Sequence, residues 1–224
     1  MKTVAIAIDG PSGAGKSTIA RILAKRLGYI YVDTGALYRA TGYALLQNGV
    51  DVKDPAAVEN GLAGLHIALR HVADQQRVFV NDRDVSDLIR TPEISMAASA
   101  VSAQPAVRAF LFRLQQDIAA ENNVIMDGRD IGTVVLPHAD VKIFLSASAE
   151  DRARRRYLEL IEKGQSVTFE EVLADMQKRD YDDSHRAIAP LRPAEDAVQV
   201  DTTGYELEQS VERLAAIVQE KLAK

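Results

Sequence analysis

The sequence contains no cysteine, which excludes disulfides, thiolate metal ligands and a cysteine nucleophile within this chain. Its four histidines are scattered, a distribution that argues against a zinc cluster. The apolar stretch 3–8 reaches Asp9 too soon to be the core of a signal peptide or a membrane span. We therefore expect a cytoplasmic protein that has no association with a membrane.

The sequence also lacks an excess of positive charge. Its net charge is −5 at neutral pH, so no overall field favours a nucleic-acid backbone, and we expect no nucleic-acid partner. Basic residues are nevertheless concentrated in two places: Arg152, Arg154, Arg155 and Arg156, then Lys178, Arg179 and Arg186. Local positive charge in an acidic chain suggests a small anionic ligand.

What is present is enough apolar material for a sizeable core. Hydrophobic residues make up 47% and charged residues 26% of the 224 positions, which is typical of a globular protein. No repeat, linker or low-complexity tract interrupts the chain. This length is compatible with one core domain that carries small mobile subdomains.

Apolar runs and helical periodicity alternate along most of the chain. Strands are predicted at 3–8, 29–32, 124–126, 141–145 and 197–200. Helices are predicted at 17–27, 36–47, 150–163, 169–180 and 206–222, with further helical pattern between 92 and 120 divided near Pro105. This alternation predicts an α/β fold in which a five-stranded parallel sheet is flanked by helices.

Residues 62–90 break this alternation. Two strands, 65–71 and 77–80, are predicted around the turn Ala73-Asp74-Gln75-Gln76, with a third extended piece near Asp84-Val85. The segment therefore predicts an antiparallel β insert.

A glycine-rich loop lies between the first strand and the first helix. It matches G-x-x-x-x-G-K-S through Gly10, Pro11, Ser12, Gly13, Ala14, Gly15, Lys16, Ser17 and Thr18. Backbone N–H groups of such a loop, with the helix N-terminus, bind phosphate oxygens. Lys16 would reach the β- and γ-phosphates of a nucleotide and Ser17 would coordinate Mg²⁺. The loop is shared by GTPases, ATPases and kinases, so it does not choose among them.

Asp127, after the apolar run Val124-Ile-Met, is a candidate support for Mg²⁺ through water. The alternative is an aspartate that caps a turn. No N-K-x-D tetrad is present, which weakens a GTPase interpretation. Several short motifs instead place an arginine beside a strand end, where open α/β sheets bind ligands.

Three of these motifs together resemble the bacterial cytidylate kinase family: Asp33-Thr-Gly-Ala-Leu-Tyr-Arg39, Asp127-Gly-Arg-Asp-Ile-Gly132 and Arg179-Asp-x-x-Asp183-x-x-Arg186-x-x-x-Pro190-Leu191. The resemblance runs from the phosphate loop to Leu191 in the family's order. It implies the P-loop nucleoside monophosphate kinase fold and transfer of the ATP γ-phosphoryl group to CMP or dCMP. It also implies a core domain (1–35, 106–149 and 187–224), a CMP-binding domain (36–105, with the insert) and a helical lid (150–186). A monomer is expected.

The resemblance also implies roles for acceptor-site residues. Arg39 and Arg129 would bind the CMP α-phosphate, where a guanidinium can pair with two oxygens; the alternative is that they are solvated surface charges. Thr34, Arg108, Asp130 and Arg186 would contact the base. Ser99, Arg179 and Asp183 would lie around the ribose, although the segment around Ser99 is also compatible with simple helix packing.

The aspartate that the resemblance implies at the base would favour cytosine over uracil. The carboxylate of Asp130 can accept a hydrogen bond from the cytosine 4-amino group, whereas it would face the lone pairs of O4 in uracil.

The four arginines of the lid segment cannot all face one ligand, because they spread over more than half of the helix circumference. Arg152 and Arg156 share a face at i, i+4 spacing, so one or both would contact ATP, and the others would pair with Glu150, Glu159 or solvent. A fully solvated set is the alternative.

In the implied mechanism a CMP oxygen attacks the γ-phosphorus in line, and Lys16, Arg39, Arg129 and Arg156 are the candidate catalytic residues. No protein nucleophile or general base is needed, and Mg²⁺ accompanies ATP. Two other hypotheses remain open: a small-molecule kinase of the shikimate or dephospho-coenzyme A type, and a nucleotide-binding module without catalysis.

Overall fold

The structure is a computed structural model and describes residues 3–72 and 75–223. Its helices and strands are β1 (Ala5–Asp9), α1 (Lys16–Leu27), β2 (Ile30–Asp33), α2 (Thr34–Gln47), α3 (Pro55–Gly61), β3 (Ile67–Val72), β4 (Gln75–Val80), β5 (Arg83–Asp84), α4 (Pro92–Ser102), α5 (Pro105–Glu121), β6 (Val124–Gly128), β7 (Val141–Ser146), α6 (Ala149–Glu162), α7 (Phe169–His185), β8 (Val198–Asp201) and α8 (Leu207–Leu222). A short π-helical turn, Ile131–Val135, follows β6.

The described chain forms two units. The first runs to Tyr31 and resumes at Asn122, and the second is Val32–Glu121. The three-part division into core, CMP-binding domain and lid stays a prediction.

A five-stranded parallel sheet has the order β2-β6-β1-β7-β8. Its central strand β1 pairs with β6 on one side, Ile8 opposite Asp127, and with β7 on the other, Ile8 opposite Ile143. All five residues of β6 are buried, as expected for a strand that helices cover on both faces. The predicted fold class is confirmed.

The core of the first unit is aliphatic. Residues of the central strands pack with the apolar faces of α1 and α8: Ile6, Ile8, Ile125, Ile143, Leu145, Ile19, Leu23, Leu214 and Ile217. Each buried side chain of this size contributes about 1.5–3 kcal/mol relative to exposure. This packing holds the ends of β1, β6 and β7 at one edge of the sheet.

The second unit contains the antiparallel sheet β3-β4-β5, so the predicted insert is confirmed. Of the predicted turn 73–76, Ala73 and Asp74 lie outside the described residues, and Gln75 and Gln76 already belong to β4. Helices α2 and α4 approach closely at Gly42, where an added Cβ would lie 3.2 Å from the Ala97 Cβ.

Helix α3 was not predicted. It begins at Pro55, and the carboxylate of Asp54 caps it by accepting hydrogen bonds from the N–H groups of Ala56 and Ala57. Aspartate followed by proline is a standard helix start signal, so the sequence does contain a local signal for this helix.

Several predicted boundaries were wrong. Strand β1 runs from Ala5 to Asp9 instead of 3–8, α7 extends to His185 instead of ending at 180, and the π-helical turn was not predicted. Tertiary contacts at helix and strand ends decide such boundaries more than periodicity does. Among the described residues, no helix combines the length and apolar character needed to cross a bilayer.

Candidate functional site

The phosphate loop connects β1 to α1 and depends on its glycines. A Cβ at Gly10 would lie 1.9 Å from the Leu145 carbonyl oxygen on β7, so only glycine lets the loop leave the sheet here. Gly15 precedes α1 in the left-handed conformation, with φ 88°, which glycine adopts without strain. The N-terminus of α1 is thereby open to an anion.

Lys16, the first residue of α1, is buried, and its Nζ donates a hydrogen bond to the Pro11 carbonyl oxygen at 2.6 Å. Burial, and secondly the charge of Arg129, lowers the pKa of Lys16 to about 7, although Asp127 and Asp9 oppose this shift. Because phosphate oxygens would favour the ammonium form, this site is suited to a polyphosphate anion.

Ser17, in the first turn of α1, and Asp127, on β6, are in contact. The Ser17 hydroxyl donates to Asp127 Oδ2 at 2.8 Å, and the Tyr31 hydroxyl donates to Oδ1 at 2.9 Å. Mg²⁺ prefers hard oxygen ligands and is held by few protein groups beside water and substrate phosphates. A hydroxyl and a carboxylate in contact at the phosphate loop fit this ion.

Asp9, at the end of β1, is a residue that sequence reasoning missed. Its buried carboxylate accepts hydrogen bonds from the N–H groups of Ile131, at 2.8 Å, and Gly132, at 2.7 Å. Burial raises the pKa of Asp9 to about 6, although these two hydrogen bonds lower it. The carboxylate therefore anchors the π-helical turn that follows Arg129 and Asp130.

Two ion pairs bring together four of the predicted acceptor residues. Arg129 Nε lies 2.8 Å from Asp183 Oδ2, and Arg186 Nη2 lies 3.0 Å from Asp130 Oδ1. All four side chains are largely buried, with 19% or less of each exposed. Each pair joins the loop after β6 to the C-terminal part of α7 or the residue after it.

The charges in this cluster act on one another. Burial alone would raise the pKa of Asp183, but the charge of Arg129 and its hydrogen bond lower it, with further contributions from Arg179 and Arg186. Asp183 is therefore a carboxylate at neutral pH. A guanidinium-rich cluster of this kind can bind an anion and offer carboxylate acceptors to hydroxyl or amino groups.

Arg152, in the lid segment, forms a hydrogen bond with the phosphate loop. Its Nη1 donates to the Ser12 carbonyl oxygen at 2.9 Å, its Nε donates to the Ala147 carbonyl oxygen at 2.8 Å, and its Nη2 lies 2.6 Å from Asp180 Oδ2. The Arg152 side chain thus connects α6, α7 and the phosphate loop.

The other lid arginines differ from Arg152. Arg156 Nη1 lies 2.9 Å from Glu159 Oε2 on the surface of α6. Arg155 Nη2 donates to the Thr202 carbonyl oxygen at 3.4 Å, and Arg154 is exposed. The contribution of Arg152 and Arg156 to ATP binding stays a prediction.

Of the remaining predicted acceptor residues, Arg179 lies on α7 in the first unit and the others lie in the second unit. Thr34 and Arg108 are buried, and the Arg108 guanidinium lies 6.0 Å from the centroid of the Tyr38 ring. The Ser99 carbonyl oxygen accepts a hydrogen bond from the Ser102 hydroxyl. Arg39 pairs with Asp33, at 3.0 Å between Nη2 and Oδ2. The assignment of these side chains to a ligand stays a prediction.

Comparison with known proteins gives a match over nearly the whole chain. The family model described as cytidylate kinase matches residues 6–220. The cytidylate kinase of Carboxydothermus hydrogenoformans is 52% identical over 216 residues, which are 96% of this chain and 97% of the relative. That of Ligilactobacillus salivarius is 49% identical over 221 residues, 99% of each chain.

A solved structure shows the same fold without close sequence similarity. The crystal structure of an uncharacterized protein from Eubacterium ventriosum covers 97% of this chain and 99% of its own, with a TM-score of 0.52 and 10% identity. This similarity concerns the fold alone.

Proposed function

The chain belongs to the cytidylate kinase family, and we propose that it transfers the γ-phosphoryl group of ATP to CMP, giving ADP and CDP, with dCMP as a second acceptor. The observation that carries the proposal is the match of the family model across residues 6–220. The alternative hypotheses of a shikimate-type kinase and of a non-catalytic module have no comparable support.

The phosphate loop is the proposed ATP site. Lys16 would neutralise the β- and γ-phosphates, and the backbone N–H groups of the loop between Gly10 and Thr18, which Pro11 lacks, would bind their oxygens. The contact of Arg152 with the Ser12 carbonyl supports a role at this loop. Arg156 would have to leave Glu159 to reach a phosphate.

The cluster of buried ion pairs is the proposed site for the base and sugar. Asp130 and Arg186 would contact cytosine, and Arg179 and Asp183 the ribose. Thr34, Arg108 and Ser99 keep the base and ribose roles that the family pattern implies. Arg129 and Arg39 keep the phosphate role.

Transfer requires little covalent chemistry from the protein. A CMP phosphate oxygen forms a bond to the γ-phosphorus while the bond from that phosphorus to the β,γ-bridging oxygen breaks, and ADP leaves. The attacking oxygen is already ionised, so no general base is needed. Lys16 and the arginines would stabilise the charge that spreads over the transferred group.

Magnesium dependence, a cytoplasmic location and a monomeric state are further parts of the proposal. Ser17 would hold Mg²⁺ directly and Asp127 through water. The ion would supply charge neutralisation at the ATP phosphates.

An acceptor panel tests the function. ADP formation from Mg·ATP is measured with CMP, dCMP, UMP, AMP, shikimate and dephospho-coenzyme A. We expect turnover with CMP and dCMP that exceeds turnover with UMP and AMP. Preference for shikimate or dephospho-coenzyme A would favour the small-molecule kinase, and ATP binding without any turnover would favour the non-catalytic module.

Asp130→Asn tests how cytosine is selected. An amide can donate to O4 of uracil, where the carboxylate repels it, so the ratio of kcat/KM for CMP to that for UMP should fall about tenfold or more. KM for ATP should stay within about twofold. The matched control is Asp182→Asn, an exposed carboxylate of α7 that pairs with Lys178. Unchanged selectivity in Asp130→Asn would remove Asp130 from the base site.

A further inference from the structure

The motif Asp33-Thr-Gly-Ala-Leu-Tyr-Arg39 contains a contact between Asp33 and Arg39 that the proposed roles of Thr34 at the base and Arg39 at the phosphate do not explain. Asp33 ends β2 and is the N-cap of α2, and its two carboxylate oxygens have different partners. Oδ1 accepts a hydrogen bond from the Ala36 N–H at 2.8 Å, and Oδ2 accepts one from Arg39 Nη2 at 3.0 Å. One side chain therefore both starts the helix and holds the guanidinium.

Gly35 leaves the space that this pairing needs. A Cβ at position 35 would lie 3.1 Å from Arg39 Nη1 and 3.2 Å from Asp33 Oδ1. Both distances are shorter than ordinary van der Waals contact, so a larger residue would displace the guanidinium or the carboxylate. The glycine of the motif is explained by this contact.

The backbone of Asp33 also forms a hydrogen bond with the antiparallel sheet. Its N–H donates a hydrogen bond to Oε1 of Gln76, on strand β4 of the antiparallel sheet, at 3.2 Å. This contact links the insert to the residue that orients Arg39.

Arg39 still has a donor available. Its Nε is buried and has no hydrogen-bond partner among the described residues. A buried donor without a partner is costly, and a ligand oxygen would satisfy it. The pairing with Asp33 therefore orients the guanidinium without using all of its donors.

We propose that Asp33 is a positioning residue that holds Arg39 ready for the acceptor phosphate, with Gly35 providing the space. The role rests on the proposed function, in which Arg39 binds the CMP phosphate. An arginine side chain loses considerable rotamer entropy when it is ordered. Because Asp33 orders the Arg39 side chain before the ligand binds, most of this entropy is lost on folding and not on binding. The contribution of Asp33 to affinity should therefore be confined to ligands that carry the phosphate.

Asp33→Asn separates the two tasks of the carboxylate. Asparagine caps helices as well as aspartate does, so the hydrogen bond from Ala36 is kept, whereas the charged contact with Arg39 is lost. We expect KM for CMP to rise roughly five- to tenfold, the range of a partly exposed charge-assisted hydrogen bond. The inhibition constant of cytidine, which lacks the phosphate, and KM for ATP should change less than about twofold.

Two further variants complete the test. Asp54→Asn removes the charge from another N-cap aspartate, whose carboxylate accepts hydrogen bonds from the backbone N–H groups of Ala56 and Ala57. This variant should leave all three constants unchanged. Gly35→Ala should reproduce the defect specific to CMP, and it carries the test if Asp33→Asn does not fold.

The outcomes are distinct. An unchanged or lower KM for CMP in Asp33→Asn and Gly35→Ala, or equal loss of CMP and cytidine binding, would overturn the positioning role while wild-type turnover with CMP persists. A wild-type protein without turnover on CMP would overturn the proposed function and this role together.

Discussion

Lys16 and Asp9 lie at the two ends of the phosphate loop, and burial moves their pKa values in opposite directions. The pKa of Lys16 falls to about 7 and that of Asp9 rises to about 6. A charged lysine in this loop is therefore costly until an anion arrives. Burial disfavours the charged form of Lys16 when no ligand is bound, and the same burial strengthens the attraction between its ammonium group and a phosphate.

Nucleotide binding should consequently take up a proton at alkaline pH. At about pH 8 most of the free Lys16 is neutral, and bound phosphates favour the ammonium form, so binding of a non-hydrolysable ATP analogue should take up close to one proton. Calorimetric titration in buffers of different ionisation enthalpy measures this number. Lys16→Met should lose the uptake, whereas Lys25→Met, on the exposed face of α1, should keep it. Binding enthalpies that do not depend on the buffer in the wild type would contradict the prediction.

The side chain of Arg152 connects helices α6 and α7 to the phosphate loop by hydrogen bonds. Arg152 is 5% exposed and bonds to Ser12, Ala147 and Asp180. The two helices also share a small apolar cluster, Ala153, Leu160, Val172 and Met176. Met176 of this cluster also approaches the loop, since a Cβ at Gly13 would lie 3.1 Å from its Cε. The arginine adds the hydrogen bonds between the helical pair and the loop.

Arg152→Met should loosen that connection while the sheet stays folded. Removing one partner of a buried ion pair costs about 3–5 kcal/mol, and the partial exposure of Asp180, 24%, reduces this to about 2 kcal/mol. Urea unfolding measures the loss, and hydrogen exchange should accelerate in α6 and α7 more than in β1 and β6. Arg154→Met, which removes an exposed arginine of the same helix, is the control. Equal exchange in α7 of both variants would be evidence against a linking role for Arg152.

Protonation of the two buried groups should make the free energy of unfolding of the whole chain depend on pH. Asp9 has a raised pKa, so between about pH 4 and pH 6 the folded state binds more protons than the unfolded state, and stability falls as pH rises. Lys16 has a lowered pKa, so above about pH 7 the unfolded state binds more protons, and stability rises with pH.

Asp9→Asn isolates the acidic part of this dependence. Relative to the wild type, the variant should gain about 2 kcal/mol of stability between about pH 4 and about pH 6.5, because the wild type alone ionises a buried carboxylate in that window. A constant offset from the altered hydrogen bonds cancels in the comparison. Urea denaturation across that range measures the difference, and Lys16→Met should keep the acidic dependence and lose the alkaline one. A difference that does not vary with pH would refute a raised pKa for Asp9.

The sequence by itself determined the class of fold, the position of the phosphate loop and the family. These depend on local signals: apolar runs predict strands, period-3.6 patterns predict helices, and the loop motif is continuous in the chain. The resemblance carried by the three motifs is confirmed by the family match. The start of helix α3 also depends on a local signal, since the sequence Asp54-Pro55 is typical of a helix N-terminus.

Only the tertiary structure decided which charges meet. Arg152 pairs with a residue 28 positions away, Arg129 and Asp130 with partners 54 and 56 positions away, and Asp9 with N–H groups more than 120 positions away. Periodicity reports neighbours within a few residues along one helix or strand. Distant partners are set by the order of strands in the sheet and by the helices packed on it. A sequence pattern could therefore identify these residues as candidates for the site, but it could not show which of them form hydrogen bonds with each other.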